Sequence, residues 1–146
     1  MDTRAHSPEA QAVLRANEAF YAAFSTMDYD AMRGVWAGRP EDICVHPGWP
    51  FLKGWRDIRE SWRAIFANTG FMQVTLSELT VEVTGTVGRV SCMENLYSVF
   101  DQEAITSLVA ATNLFILTAD GWRMTLHHGS PVASQPVTAA DSDDIN

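Results

Sequence analysis

The sequence predicts an α+β domain in which helices cover one face of a curved antiparallel sheet. The apolar period is 3.6 residues up to Gly70 and becomes 2 from Met72 onward. The order that results is three helices, with one short β-type run before the third, and then four long strands. Size agrees: 146 residues with 47% hydrophobic and 19% charged residues suit one compact domain.

Ser7-Pro8-Glu9 opens the first helix. Ser7 caps it, Pro8 takes the first helical position and Glu9 sits against the positive end of the dipole. Val13, Asn17, Phe20, Tyr21 and Phe24 recur on one stripe, and the helix is expected to run to about Ser25. Asp28 caps a second, short helix ending near Trp36, with Met32, Val35 and Trp36 on a shared face; Gly38 and Pro40 stop it. Ile43-Cys44-Val45-His46 reads as a brief strand, and two prolines and a glycine make His46-Pro47-Gly48-Trp49-Pro50 irregular. A third helix opens after Gly54, packs Ile58, Trp62, Ile65 and Phe66 inward, and ends by Gly70.

In the first long strand Met72, Val74 and Leu76 alternate, then the phase slips at Glu78 so that Leu79, Val81 and Val83 continue it, which predicts a bulge or bend. Gly85-Thr86-Val87-Gly88 is read as a hairpin turn, followed by a strand from Arg89 to about Phe100 and another from Ile105 to Thr118. Asp120-Gly121, a strong hairpin dipeptide, leads into the last strand, Trp122 to about Gly129. The domain is bounded at 7–132, with 1–6 and the acidic tail 133–146 expected to be flexible.

Ten Lys+Arg against eighteen Asp+Glu give a net charge of -8, with no surplus of positive charge to neutralise phosphates, so nucleic acid is not an expected partner. No apolar run approaches the roughly 20 residues that span a bilayer, and the N-terminus lacks the apolar core of a secretory signal; a membrane is not expected and a cytoplasmic location is. Cys44 and Cys92 stand alone and read as buried small hydrophobes, with no zinc or disulfide pattern. Five Trp, seven Phe and three Tyr are a rich supply for a short chain, enough for a core and open to lining a cavity or an interface. Tyr21, Trp49, Trp62, Phe66, Phe115 and Trp122 fall on faces expected to surround one cavity.

Polar residues interrupt three apolar rows. Glu94 shares a face with Val90, Cys92 and Leu96, where a covered carboxyl would gain a raised pKa and acid-base capacity; the alternatives are that the row faces solvent or that Glu94 pairs with Arg56, Arg59 or Arg63. Asn113 lies among Val109, Ala111 and Phe115, placed either to orient a ligand or to satisfy backbone. On the last strand His128 is expected to face inward with Trp122, Met124 and Leu126, and His127 outward. His46 lies beside Trp49 in the Pro-interrupted loop, and Tyr21 could present a phenol from the first helix. His46, His128 and Glu94 would be metal-ligand chemistry if they converged, but nothing in their spacing compels it, so no metal is expected; with no phosphate-binding loop, dinucleotide fingerprint or nucleophile elbow, no cofactor is expected either.

Together several segments resemble the nuclear transport factor 2-like superfamily, and its SnoaL-like bacterial branch in particular. They are Met27-Asp28-Tyr29-Asp30-Ala31-Met32, Val45-His46-Pro47-Gly48-Trp49-Pro50 with Gly54-Trp55, Cys92-Met93-Glu94-Asn95-Leu96, Ala111-Thr112-Asn113-Leu114-Phe115, and Gly121-Trp122-Arg123-Met124 with His127-His128-Gly129-Ser130-Pro131. That superfamily includes ketosteroid isomerase, scytalone dehydratase, polyketide cyclases and the calcium/calmodulin-dependent kinase II association domain. The resemblance implies a cone-shaped curved sheet whose concave face, under three helices, encloses a pocket, and a sheet whose other face makes a homodimer. No aspartate in the sheet strands matches the acid partner of ketosteroid isomerase, so steroid isomerisation does not carry over. Many members of the branch end the last strand with His-x-His-x-Ser, of which Leu126-His127-His128-Gly129-Ser130 keeps only the second histidine.

The implied function is binding of a small, largely apolar molecule in the cone, with cofactor-independent lyase (dehydratase) or isomerase chemistry. His46, Glu94 and His128 would be catalytic, and Tyr21, Trp49, Trp62, Asn113 and Trp122 would bind the ligand. The alternative is a non-catalytic binding or oligomerisation module, favoured by apolar residues such as Met93, Tyr97 and Val99 on the convex face.

Overall fold

A computed structural model describes residues 6–133, so the readings of both termini as flexible fall almost wholly outside the described residues. Helix α1 (Pro8–Thr26) is capped by Ser7, whose hydroxyl accepts the Ala10 N–H at 3.1 Å. It ends at Met27, in the left-handed region at φ 54°. The next residue, Asp28, caps α2 (Tyr29–Val35) by accepting the Ala31 N–H at 3.0 Å. After β1 (Ile43–Val45) and β2 (Leu52–Lys53) comes α3 (Trp55–Asn68), and then β3 (Phe71–Thr84), β4 (Val87–Phe100), β5 (Glu103–Thr118) and β6 (Gly121–Pro131). Among the described residues no helix is long and apolar enough to cross a membrane.

The six strands form one sheet in the order β2-β1-β6-β5-β4-β3. All neighbours are antiparallel except β1 and β6, which run parallel with Val45 opposite His128. The inner face carries Val90, Cys92 and Glu94 from β4, Val109, Ala111, Asn113 and Phe115 from β5, and Met124 and His127 from β6, all buried. Val13, Phe20, Tyr21 and Phe24 of α1 and Ile58 and Trp62 of α3 close over that face. Each such fully buried side chain contributes roughly 1.5–3 kcal/mol, which is what fixes the helices to the sheet.

The β3–β4 turn is only Gly85-Thr86, and Gly88, read from sequence as part of it, already belongs to β4. Its lack of a side chain serves packing: a Cβ at that position would stand 2.6 Å from Val13 Cγ2. Helix α1 therefore lies directly on the β4 backbone.

Two bulges set the phase of the sheet. The first falls between Ser77 and Thr80, with Glu78 at φ 52°, where the apolar pattern slips. The second lies in β6: Leu114 pairs with Leu126 but Phe115 pairs with Met124, so Thr125 is the extra residue. Thr125 is pinned from outside the strand. Its hydroxyl donates to Asp42 Oδ1 at 2.8 Å and accepts from the Arg39 guanidinium at 2.8 Å. Asp42 is itself fully buried and accepts the Gly38 and Arg39 N–H groups at 2.9 and 3.0 Å.

Candidate functional site

The β6 bulge corrects the placement of the histidine pair. Met124 faces inward before the bulge, so the next inward position after it is His127, which is buried, while His128 is exposed on the outer face. His128 therefore does not converge with Glu94, and the interior histidine of this strand is its neighbour.

Glu94 projects from β4 into the interior, where Tyr21 of α1 donates its phenolic hydrogen to Oε2 at 2.6 Å. Burial raises the Glu94 carboxyl to about 7, and the Tyr21 hydrogen bond opposes part of that rise. The phenol is raised in turn, first by burial and then by the Glu94 charge, and stays protonated. Asn113 of β5 spends its amide hydrogens on Asn17 Oδ1 at 2.9 Å and the Tyr21 oxygen at 3.1 Å. Its Oδ1 lies 2.7 Å from His127 Nδ1. An amide oxygen only accepts, so His127 carries its hydrogen on Nδ1 and leaves Nε2 as a lone pair. That lone pair stands 3.9 Å from Glu94 Oε2. The approach is not an ion pair, because burial, followed by the His46 and His128 charges, lowers His127 to about 3 and keeps it neutral.

A second histidine meets this network from the other side. His46, just after β1, is buried and lowered to about 4 by burial. Its Nε2 lies 2.8 Å from Ser61 Oγ, and its ring sits 4.7 Å from that of Trp62 and 6.5 Å from that of His127. His46 also lines a cavity of about 370 Å³ at the mouth of the fold, walled by Phe24, Trp49, Ile65, Leu96 and Val109. Val109 is the cross-strand partner of Glu94, which does not itself line the cavity.

The cavity is smaller than the aromatic content suggests. Trp49 lines it, but Phe20, Phe24 and Trp62 pack edge to face at 5.1–6.1 Å and fill the interior beneath it. Tyr21 and Asn113 belong to the buried network, and Phe115 is core. Trp122 stands at the hairpin end of β6, away from the mouth formed near Pro131. Sequence reasoning missed Asn17 and Ser61; the signal for both was a polar residue on a buried helix stripe. Cys44 and Cys92 are buried with free thiols that burial raises. No group of three or more His, Cys, Asp or Glu among the described residues is placed to hold a metal ion.

Comparison with known proteins gives this arrangement a family. The SnoaL-like domain matches residues 13–134. The chain belongs to the SnoaL-like family. A solved structure from Streptomyces avermitilis, named a "putative dehydratase from the NTF2-like family", is 35% identical with a TM-score of 0.80, over 86% of this chain and 97% of that one. One from Thiobacillus denitrificans, named a "putative calcium/calmodulin-dependent protein kinase type II association domain", is 33% identical with a TM-score of 0.72, over 81% and 93%. A ketosteroid isomerase-like protein from Erwinia carotovora atroseptica shares the fold, at 19% identity and a TM-score of 0.70, over 88% and 100%. A search of curated proteins returns no match. The three helices and curved six-stranded sheet of this SnoaL-like protein are the nuclear transport factor 2-like cone.

Proposed function

We propose that this SnoaL-like protein is a cofactor-independent lyase of the dehydratase kind, acting on a small, neutral, largely apolar hydroxylated molecule. The observation that carries it is the state of Glu94: a buried carboxyl at about 7, fixed on Oε2 by Tyr21, whose cross-strand partner Val109 lines the mouth cavity. Such a group is half protonated near neutral pH and carries its proton on Oε1, ready to give it to a leaving hydroxyl. His46, neutral and lining the cavity, takes the proton from the neighbouring carbon; the C–O bond breaks, a C=C bond forms and water leaves. Tyr21 holds the carboxyl in place, and Asn113, braced by His127 and Asn17, holds Tyr21. The donor hydrogens of Tyr21 and Asn113 are all spent inside the network, so both position Glu94 and neither donates to the substrate; the choice of dehydration over isomerisation rests on the proton that Glu94 can give to a leaving hydroxyl. The name of the Streptomyces neighbour supports the same choice.

The test is turnover of a panel of neutral cyclic β-hydroxy ketones, read by the absorbance of the conjugated product. Glu94→Gln should lower the rate at least roughly 100-fold, the scale of a lost general acid. Equal rates in variant and wild type, or no turnover by wild type, would overturn the reading.

The outer sheet face favours a second role. Phe71 and Tyr97 stack edge to face at 6.0 Å and are both exposed, beside a groove of about 710 Å³. A second copy of the chain covering that face gives a homodimer, and light scattering that finds only monomer removes this role.

A further inference from the structure

Ser61 is the hydroxyl residue on the buried face of α3, between Ile58 and Trp62. Its oxygen lies 2.6 Å from the Ile58 carbonyl oxygen and 2.8 Å from His46 Nε2. Two oxygens that close require a hydrogen between them, and a carbonyl has none to give. The single proton of Ser61 is therefore committed to Ile58. Nothing remains on the hydroxyl to donate to the imidazole, so the contact with His46 takes its hydrogen from the ring.

We infer that Ser61 is a positioning residue that locks His46 in the Nε2–H tautomer, leaving Nδ1 as the ring atom that takes a proton from a molecule in the mouth cavity. The lock stands on the hydrogen-bond geometry alone; the use of Nδ1 rests on the reading of His46 as the base. The surroundings agree. The Cys44 thiol lies 3.6 Å from Nε2 and 3.9 Å from Nδ1, and burial keeps it protonated, so it offers neither nitrogen a strong acceptor. Trp49 and Trp62 meet the ring edge to face and supply no acceptor either. His127 and His46 thus hold opposite tautomers, the first set by an amide oxygen and the second by a hydroxyl. The same accounting removes Ser61 as a nucleophile, since its proton is held by a carbonyl and not by the imidazole beside it.

Nitrogen-15 NMR of the histidine-labelled full chain near neutral pH tests the lock, with the His46 signals assigned by their loss in His46→Gln. The expected spectrum shows a pyrrole-type Nε2 and a pyridine-type Nδ1. Ser61→Ala should lose that preference and show both tautomers, and Ser61→Thr, which keeps the hydroxyl, should restore it. A pyridine-type Nε2 in wild type, or an unchanged tautomer in Ser61→Ala, overturns the lock; the wild-type spectrum decides even where the alanine variant does not fold. A correct tautomer with His46→Gln turning over β-hydroxy ketones at the wild-type rate overturns the base role and leaves the lock standing.

Discussion

Tyr21 and Glu94, 73 positions apart in the chain, meet through a 2.6 Å hydrogen bond that ties α1 to the centre of β4. The bond lowers the carboxyl that burial has raised, so removing it should push Glu94 higher still. In Tyr21→Phe the Glu94 titration followed by carbon-13 NMR should have its midpoint above the wild-type value of about 7. Urea unfolding should show a loss of about 1–3 kcal/mol, since Asn113 also loses an acceptor. A lower midpoint would show that the phenol does not donate to this carboxyl.

The pH dependence of stability carries the same signature. Glu94 holds its proton up to about 7 when folded, against 4.5 for an ordinary carboxyl. The folded state thus binds more protons than the unfolded one between these values, so the stability Glu94 contributes is present below 4.5 and is lost as pH rises through 7. The difference between wild type and Glu94→Gln in urea unfolding should shift by about 3 kcal/mol against wild type across that window and stay flat above it. His46 and His127, lowered to about 4 and about 3, lose stability as pH falls below 6.5, but they do so in both proteins and cancel in the difference. A difference independent of pH would mean that Glu94 is not buried as described.

Adjacent histidines on β6 should behave as opposites. His127→Ala removes a fully buried ring and leaves Asn113 Oδ1 without its donor, a loss of about 2–4 kcal/mol. His128→Ala on the exposed face should stay within about 0.5 kcal/mol of wild type. The reverse order in chemical denaturation would place the bulge elsewhere.

At the contact of α1 with β4, Gly88→Ala should cost about 1–3 kcal/mol by forcing a methyl group against Val13. Val13→Ala empties the same space. The double variant should therefore be less destabilised than the sum of the singles, by about 0.5–3 kcal/mol. Strict additivity in a double-mutant cycle would sink the close approach.

The helices and long strands were legible because caps and period agree: Ser7 and Asp28 sit where a cap is needed, and Leu76 to Leu79 slips in phase where β3 bulges. Strand β2 was not, since Leu52–Lys53 is too short to show alternation, and the parallel pairing of β1 with β6 joins segments far apart in the chain. Glu94 and Asn113 were legible as polar residues in apolar rows. His127 was not. Trp122, Met124 and Leu126 are all apolar, so their alternation continues across Thr125 and hides a slip that the pairing of β6 with β5 reveals.

That hidden slip gives the doublet His127-His128 a meaning of its own. With Thr125 bulged, His127 enters the interior; in a strand of unbroken register, His128 would take the same side. Repeating the residue means that either register turns an imidazole to the interior: opposite Asn113 with Thr125 bulged, and opposite Ala111 without it.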